Sequence, residues 1–263
     1  MTGMAGEFSE EDVRKAVDAA YRFAVQGKTP AARPRAYILG GQPGAGKTDL
    51  QKELLGKCGH NAVVINGDEY RKLIPNHGLI ARMPGSRYAP ITQRFANRVT
   101  EGMIERAGEM SYNLIIEGTL RHKQTALNTS RLLKGKGYLT ELSVLAVNRE
   151  VSYYSTKLRT EKLRELGEAP RMTATDSHNE VVKKLPRNVS EIYRSGEFDN
   201  ITVYGRCGER LYSLQETPET DPGRIVQDRL YGKTLEDAQK VHHIRQSISR
   251  LRAIHMQPPQ LGL

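Results

Sequence analysis

Between an apolar run, AYILG, and a helical pattern, DLQKELL, the chain carries GQPGAGKT at residues 41–48. The string fits G-x-x-x-x-G-K-[ST], with the strand before it and the helix after it that this pattern requires. Glycines Gly41, Gly44 and Gly46 let the backbone turn its N–H groups inward around phosphate oxygens, where a Cβ would crowd the cradle. The following helix adds the positive end of its dipole. Gly41, Gln42, Pro43, Gly44, Ala45, Gly46, Lys47 and Thr48 therefore predict a nucleotide-phosphate loop. Lys47 is expected to reach the β- and γ-phosphates of ATP as a point charge, and Thr48 to offer its hydroxyl to Mg²⁺.

The rest of the chain alternates in the way such a loop demands. Short apolar, β-branched runs read as strands at AYILGG, NAVVING, YNLIIEG, ELSVLAV and NITVYG. Helical patterns separate most of them, notably the one holding Phe95, Val99, Met103, Ala107 and Met110. This predicts an α/β fold, a P-loop kinase-like parallel sheet with helices on both faces. The run ITVYGRCGERLYSL reads as a hairpin turned at residues 206–209, which adds an antiparallel edge. An N-terminal helix over 9–26 is capped by Ser9, and a basic amphipathic helix over about 235–255 closes the chain. One domain over 1–263 is expected.

Composition narrows the functions. Lys and Arg outnumber Asp and Glu by 40 to 30, a net charge of +10 that favours anionic partners. Most of that charge reads as solvated surface, and the small phosphate site needs only a few residues of it. Cys58 and Cys207, the two cysteines, sit in no C-x-x-C and make neither a disulfide framework nor a metal site. No run of eighteen apolar residues is present, and MTGMAGEFSEEDVRK lacks an apolar signal core. The expectation is a cytoplasmic protein with no membrane segment.

Three further positions carry chemistry. Asp68 follows the strand NAVVING at the sheet edge where open α/β folds keep their sites, and a carboxylate there can orient or deprotonate a hydroxyl acceptor. The alternative is that Asp68 only caps the helix EYRKLI. Glu117 ends the next strand, YNLIIE, and reads as an acid near Mg²⁺, a ligand of acceptor hydroxyls, or a half-buried glutamate with a structural partner. Downstream, TKLRTEKLRELGEAPRMTATDSHN is rich in arginine, and mobile arginines closing over ATP stabilise the charge of phosphoryl transfer. Spacing alone does not choose Arg159 and Arg171 over Arg164. His77, His122 and His178 fall in helices or loops and read as surface histidines.

Taken in order, LGGQPGAGKT, GDEYR, NRVTE, LIIEGT, R-x-T-x₄-H and VVKKLPRNV resemble the zeta toxin family over residues 9–212. The resemblance implies a toxin of a toxin–antitoxin system. It also implies an ATP- and Mg²⁺-dependent kinase whose acceptor is the 3′-hydroxyl of UDP-N-acetylglucosamine, so that cell-wall synthesis is blocked. It further implies that Asp68 is the catalytic base, that Lys47 and Thr48 serve ATP and Mg²⁺, and that Arg159 and Arg171 clamp phosphates from a lid. Asn97, Glu101, Glu117, Thr119 and Arg121, with Asp68, are then expected to line the sugar-nucleotide pocket. Helical spacing places Arg94, Asn97 and Glu101 opposite Phe95, Val99 and Met103, so that they can face a cleft. One stretch departs from the family's pattern: MPGSRYAPITQRF stands where an acidic-and-histidine pattern is expected. Other readings are a kinase of RNA ends or of an antibiotic, and a nucleotide-dependent switch in which Glu117 serves hydrolysis. The expected partners are a UDP-sugar and an acidic or mixed-charge antitoxin, rather than nucleic acid or membrane.

Overall fold

The structure, a computed structural model, describes residues 6–83, 85–167 and 173–256. In chain order it runs α1 (Glu10–Ala24), β1 (Arg35–Gly41), α2 (Lys47–Lys57), β2 (Val63–Asn66), α3 (Gly67–Tyr70), a 3₁₀ turn at Arg71–Leu73, α4 (His77–Ile80) and α5 (Gly85–Glu109). It continues with β3 (Leu114–Glu117), α6 (Lys123–Lys134), β4 (Leu139–Leu145), α7 (Arg149–Glu165), α8 (Thr175–Arg194), β5 (Asn200–Tyr204), β6 (Arg210–Ser213), α9 (Pro222–Tyr231) and α10 (Leu235–Met256). Among the described residues the strands form one six-stranded sheet in the order β2-β3-β1-β4-β5-β6. All pairs are parallel except the β5–β6 hairpin. The crossover from β1 thus runs one way, to β2, and that from β3 the other way, to β4, which opens a crevice between β1 and β3 at the carboxyl ends of the strands.

The strands are buried on both faces, and their period of two sorts the core into two layers. Ile38, Leu114 and Leu142 pack with Phe95, Val99 and Met103 of α5 and Leu185 and Val189 of α8. Tyr37, Leu39, Ile115 and Leu145 face the other way, onto Leu50 and Leu54 of α2 and Ile244 and Ile248 of α10. Helices on both faces thus follow from residues that alternate within a single strand.

Local chemistry sets the helix ends. Ser9 lies just outside α1 as its cap and closes a capping box with Asp12, so the helix begins at Glu10 and ends at Ala24, within the expected 9–26. Met110 lies past the end of α5 and is 50% exposed, so the apolar stripe of that helix stops at Ala107. His178 is a larger correction. The surface reading fails, because α8 turns it inward beside Val181, Val182 and Leu185 and leaves it 1% exposed. Among the described residues no helix is long and apolar enough to cross a membrane.

Candidate active site

The loop between β1 and α2 has the geometry its glycines predict. Gly44 and Gly46 have φ of +79° and +100°, in the left-handed region that a side chain disfavours. Gly46 is the N-cap of α2 and brings no side-chain cap with it. A Cβ on Gly44 would lie 2.1 Å from the Ser152 carbonyl oxygen, so the loop is pressed against the backbone of α7. Gly44→Ala is therefore expected to cost about 1–3 kcal/mol in backbone strain alone and to displace the loop. Thermal unfolding and nucleotide titration check this, and an alanine variant with unchanged Tm and ATP affinity would contradict the packing. Gln42 and Ala45 are fully buried, whereas Thr48 is exposed at the first turn of α2.

Lys47 and Glu117 pair at this loop, and Asp68 is near enough for its charge to act on both. The Lys47 ammonium donates to the Gly41 carbonyl at 3.2 Å and lies 3.9 Å from Glu117 Oε1. Burial pushes the Lys47 ammonium below its ordinary range, against the pull of Glu117 and Asp68. Burial likewise raises the Glu117 carboxyl, opposed by Lys47. Parallel register sets Glu117, the last residue of β3, level with Asn66, the last of β2, and with Leu39, two residues before the end of β1; Asn66 Nδ2 donates to Glu117 Oε2 at 3.2 Å. Asn66 is also the cap of α3, its Oδ1 accepting from the Asp68 amide at 3.0 Å. The capping role considered for Asp68 thus belongs to Asn66. The Asp68 carboxylate is 65% exposed and accepts through Oδ1 from Arg71 Nε at 2.8 Å.

The remaining positions divide. Arg159, on α7, is exposed and has one long bond, from Nη2 to Thr173 Oγ1 at 3.4 Å. Its charge acts on both Lys47 and Glu117, so it lies within electrostatic reach of that pair. Arg164, inseparable from it by spacing, is held 2.9 Å from the buried Glu161. Arg171 lies outside the described residues. Thr119 accepts from the Arg121 amide at 3.4 Å, and Arg121 leans on α8, 3.6 Å from Glu180. Asn97 joins the Asp68 side through a chain in which Arg71 donates to Gln93 and Gln93 to Asn97, each at 2.6 Å. Glu101 is instead 3.9 Å from Arg98, which pairs with Glu10 of α1, and Arg94 stacks on Phe8. That side of α5 belongs to the α1 contact.

Reasoning from the sequence missed the residues that hold this geometry. Arg71, in the 3₁₀ turn that follows α3, spends Nη1 on the Ala89 carbonyl and Thr92 hydroxyl, which ties that turn to α5. Asn188 of α8 donates to the carbonyls of Leu120 and Arg121 and supports Leu120 at a φ of +54°. In GDEYR and PRNV these residues look like ordinary surface polar groups, and nothing local marks their distant partners. The groups present suit a Mg²⁺–triphosphate group: a loop with no room for a Cβ at Gly41 or Gly44, an uncapped helix start, a lysine, a hydroxyl at Thr48 and an acid at Glu117.

The zeta toxin family model matches residues 20–217. Toxin zeta of Streptococcus pyogenes is 35% identical over 212 residues, covering 80% of this chain and 73% of that one. Toxin PezT of Streptococcus pneumoniae serotype 4 is 32% identical over 232 residues, covering 86% and 90% respectively. A solved chain described with the PezAT chromosomal toxin–antitoxin system of Streptococcus pneumoniae superposes with a TM-score of 0.86 at 26% identity, covering 95% of this chain and all of that one.

Proposed function

Because the chain belongs to the zeta toxin family, we propose that it is a toxin that transfers the γ-phosphoryl group of ATP to a hydroxyl of a UDP-sugar, UDP-N-acetylglucosamine at its 3′-hydroxyl. The observation that carries the reading is the pairing of Lys47 with Glu117 at the phosphate loop, with Asp68 and Arg159 near enough for their charges to act on both. Residues 41–48 wrap the phosphates with backbone N–H groups, and Lys47 moves from the loop carbonyls to the β- and γ-oxygens. Thr48 and Glu117 are the groups that would hold Mg²⁺, which would supply charge neutralisation to the phosphates. Asp68 accepts the acceptor's proton through the oxygen that Arg71 does not occupy. Arg159 and Arg171 stabilise the equatorial oxygens of the moving phosphoryl group. Asn97, Thr119 and Arg121 are proposed to bind the sugar nucleotide, whereas Glu101, on the α1 side of α5, is left out of that set.

Labelled ATP offered with UDP-sugars, nucleosides and short RNAs tests the reading. Label is expected on UDP-N-acetylglucosamine. Release of free phosphate with no labelled acceptor would favour a nucleotide switch, and label on RNA would overturn the substrate. Lys47→Ala should lower turnover by roughly 10²–10³-fold, the weight of one lost electrostatic donor. The fold should persist, since Lys47 contacts loop carbonyls and Glu117 rather than the apolar layers. Near-normal turnover would remove the loop from the chemistry.

The toxin reading draws on the relatives' names and on the PezAT system. The net charge of +10 favours an acidic or mixed-charge antitoxin that covers the ATP cleft. The cell-wall target makes the cytoplasm, where UDP-sugars are made, the proposed site of action.

A further inference from the structure

His178 plays no part in the chemistry above, yet it lies at the end of a buried polar chain that begins in the phosphate loop. Gln42 is fully buried, and its Nε2 donates to the Val147 carbonyl and, at 3.3 Å, to Ser152 Oγ. The amide has only one workable orientation, because turning it over would set its carbonyl against that of Val147. Its Oε1 is buried and has no partner among the described residues, so the donor side alone anchors the side chain. Ser152, also fully buried, donates its single hydroxyl proton to the Arg149 carbonyl at 3.0 Å. Its two lone pairs remain for Gln42 and for His178, whose Nε2 is 3.0 Å away. With that hydroxyl proton spent on Arg149, Nε2 is the nitrogen that donates, and Nδ1 accepts from the exposed Asn179 amide 3.4 Å away once that amide turns its NH₂ toward the ring. Burial favours this uncharged imidazole.

The chain of bonds crosses three elements: the loop itself, α7, which also carries Arg159, and α8, which carries the Asn188 support of Arg121. Directly beneath it the Ser152 carbonyl is the atom that a Cβ on Gly44 would strike. The loop therefore rests on Ser152 twice, once through its backbone and once through the Gln42 side chain.

We propose that His178 is a positioning residue for the phosphate loop, acting through Ser152 on Gln42. This deepens the kinase reading and rests on residues 41–48 being its nucleotide loop. Without the His178 donor, Ser152 is free to turn, Gln42 loses its second anchor, and the loop amides no longer converge on one phosphate geometry.

The test compares His178→Leu, which keeps bulk but no donor, with His178→Gln, whose amide can present a donor near the Nε2 position. Ser152→Ala removes the middle of the chain and decides the matter if the leucine variant fails to fold. Hydrogen exchange at the amides of Gln42, Gly44, Ala45 and Gly46, without nucleotide, should speed roughly tenfold in His178→Leu and Ser152→Ala, the loss of one buried hydrogen bond. The KM for ATP should rise by a similar factor while kcat at saturating ATP changes little, and His178→Gln should restore most of both. Unchanged loop exchange in His178→Leu or Ser152→Ala would overturn the proposal. So would a glutamine variant as loose as the leucine, which would reduce His178 to packing against Tyr153, 5.6 Å away ring to ring. A wild-type protein that phosphorylates nothing would defeat the kinase reading, and the exchange comparison would still decide the role of His178.

Discussion

Asp68→Asn is expected to abolish acceptor phosphorylation, lowering kcat by up to about 10⁴-fold, the upper range for a positioned general base. ATP affinity and Tm should stay close to the wild type. The substitution keeps the shape, and Asn Oδ1 can still accept from Arg71 Nε as Asp68 Oδ1 does at 2.8 Å. The lost charge is 65% exposed, and an ion pair so open to solvent contributes about 0–1 kcal/mol. The helix cap is untouched, because Asn66 supplies it. Single-turnover phosphorylation, ATP titration and thermal melting on the same preparation separate these effects. Phosphorylation at the wild-type rate would transfer the base to Glu117, which already stands 3.9 Å from Lys47.

Features written in contiguous residues were legible. The phosphate loop, the alternating strands and the β5–β6 hairpin need only local signals: glycines where φ turns positive, apolar runs of strand length, and a turn between them. Gln42 shows the limit of a motif, because the pattern leaves its position free and only the approach of α7 buries it. The inward turn of His178 was in reach. It shares helical spacing with Val181, Val182, Leu185, Val189 and Ile192, and that stripe outweighs its polar neighbours Ser177 and Asn179. Arg71 and Asn188 were not in reach, since their partners lie 18–22 and 67–68 residues away in sequence. Spacing on α5 gave Arg94, Asn97 and Glu101 a common face, but the arrival of α1 diverts Arg94 to Phe8 and links Glu101 through Arg98 to Glu10.

The two arginines of α7 that spacing left equivalent are expected to behave in opposite ways. Arg164 and Arg252, the latter from α10, both bind Glu161, which is 3% exposed in its side chain. Arg164→Ala strips one of two partners from a buried carboxylate, so Tm should fall while turnover per folded molecule is kept. Among the described residues Arg159 has no such tie, only the long contact to Thr173, and its charge is felt by Lys47 and Glu117. Arg159→Ala should leave Tm within error and lower kcat by roughly 10³-fold, the scale of a lost arginine at a transferring phosphoryl group. Arg159→Lys should recover only part of this, because an ammonium restores the charge without the planar fork that holds two oxygens at once. Single-turnover rates at saturating ATP are the deciding measurement. Wild-type rates in Arg159→Ala would clear it of any role in transfer, and the positive charge over the phosphates would then have to come from another arginine of the segment.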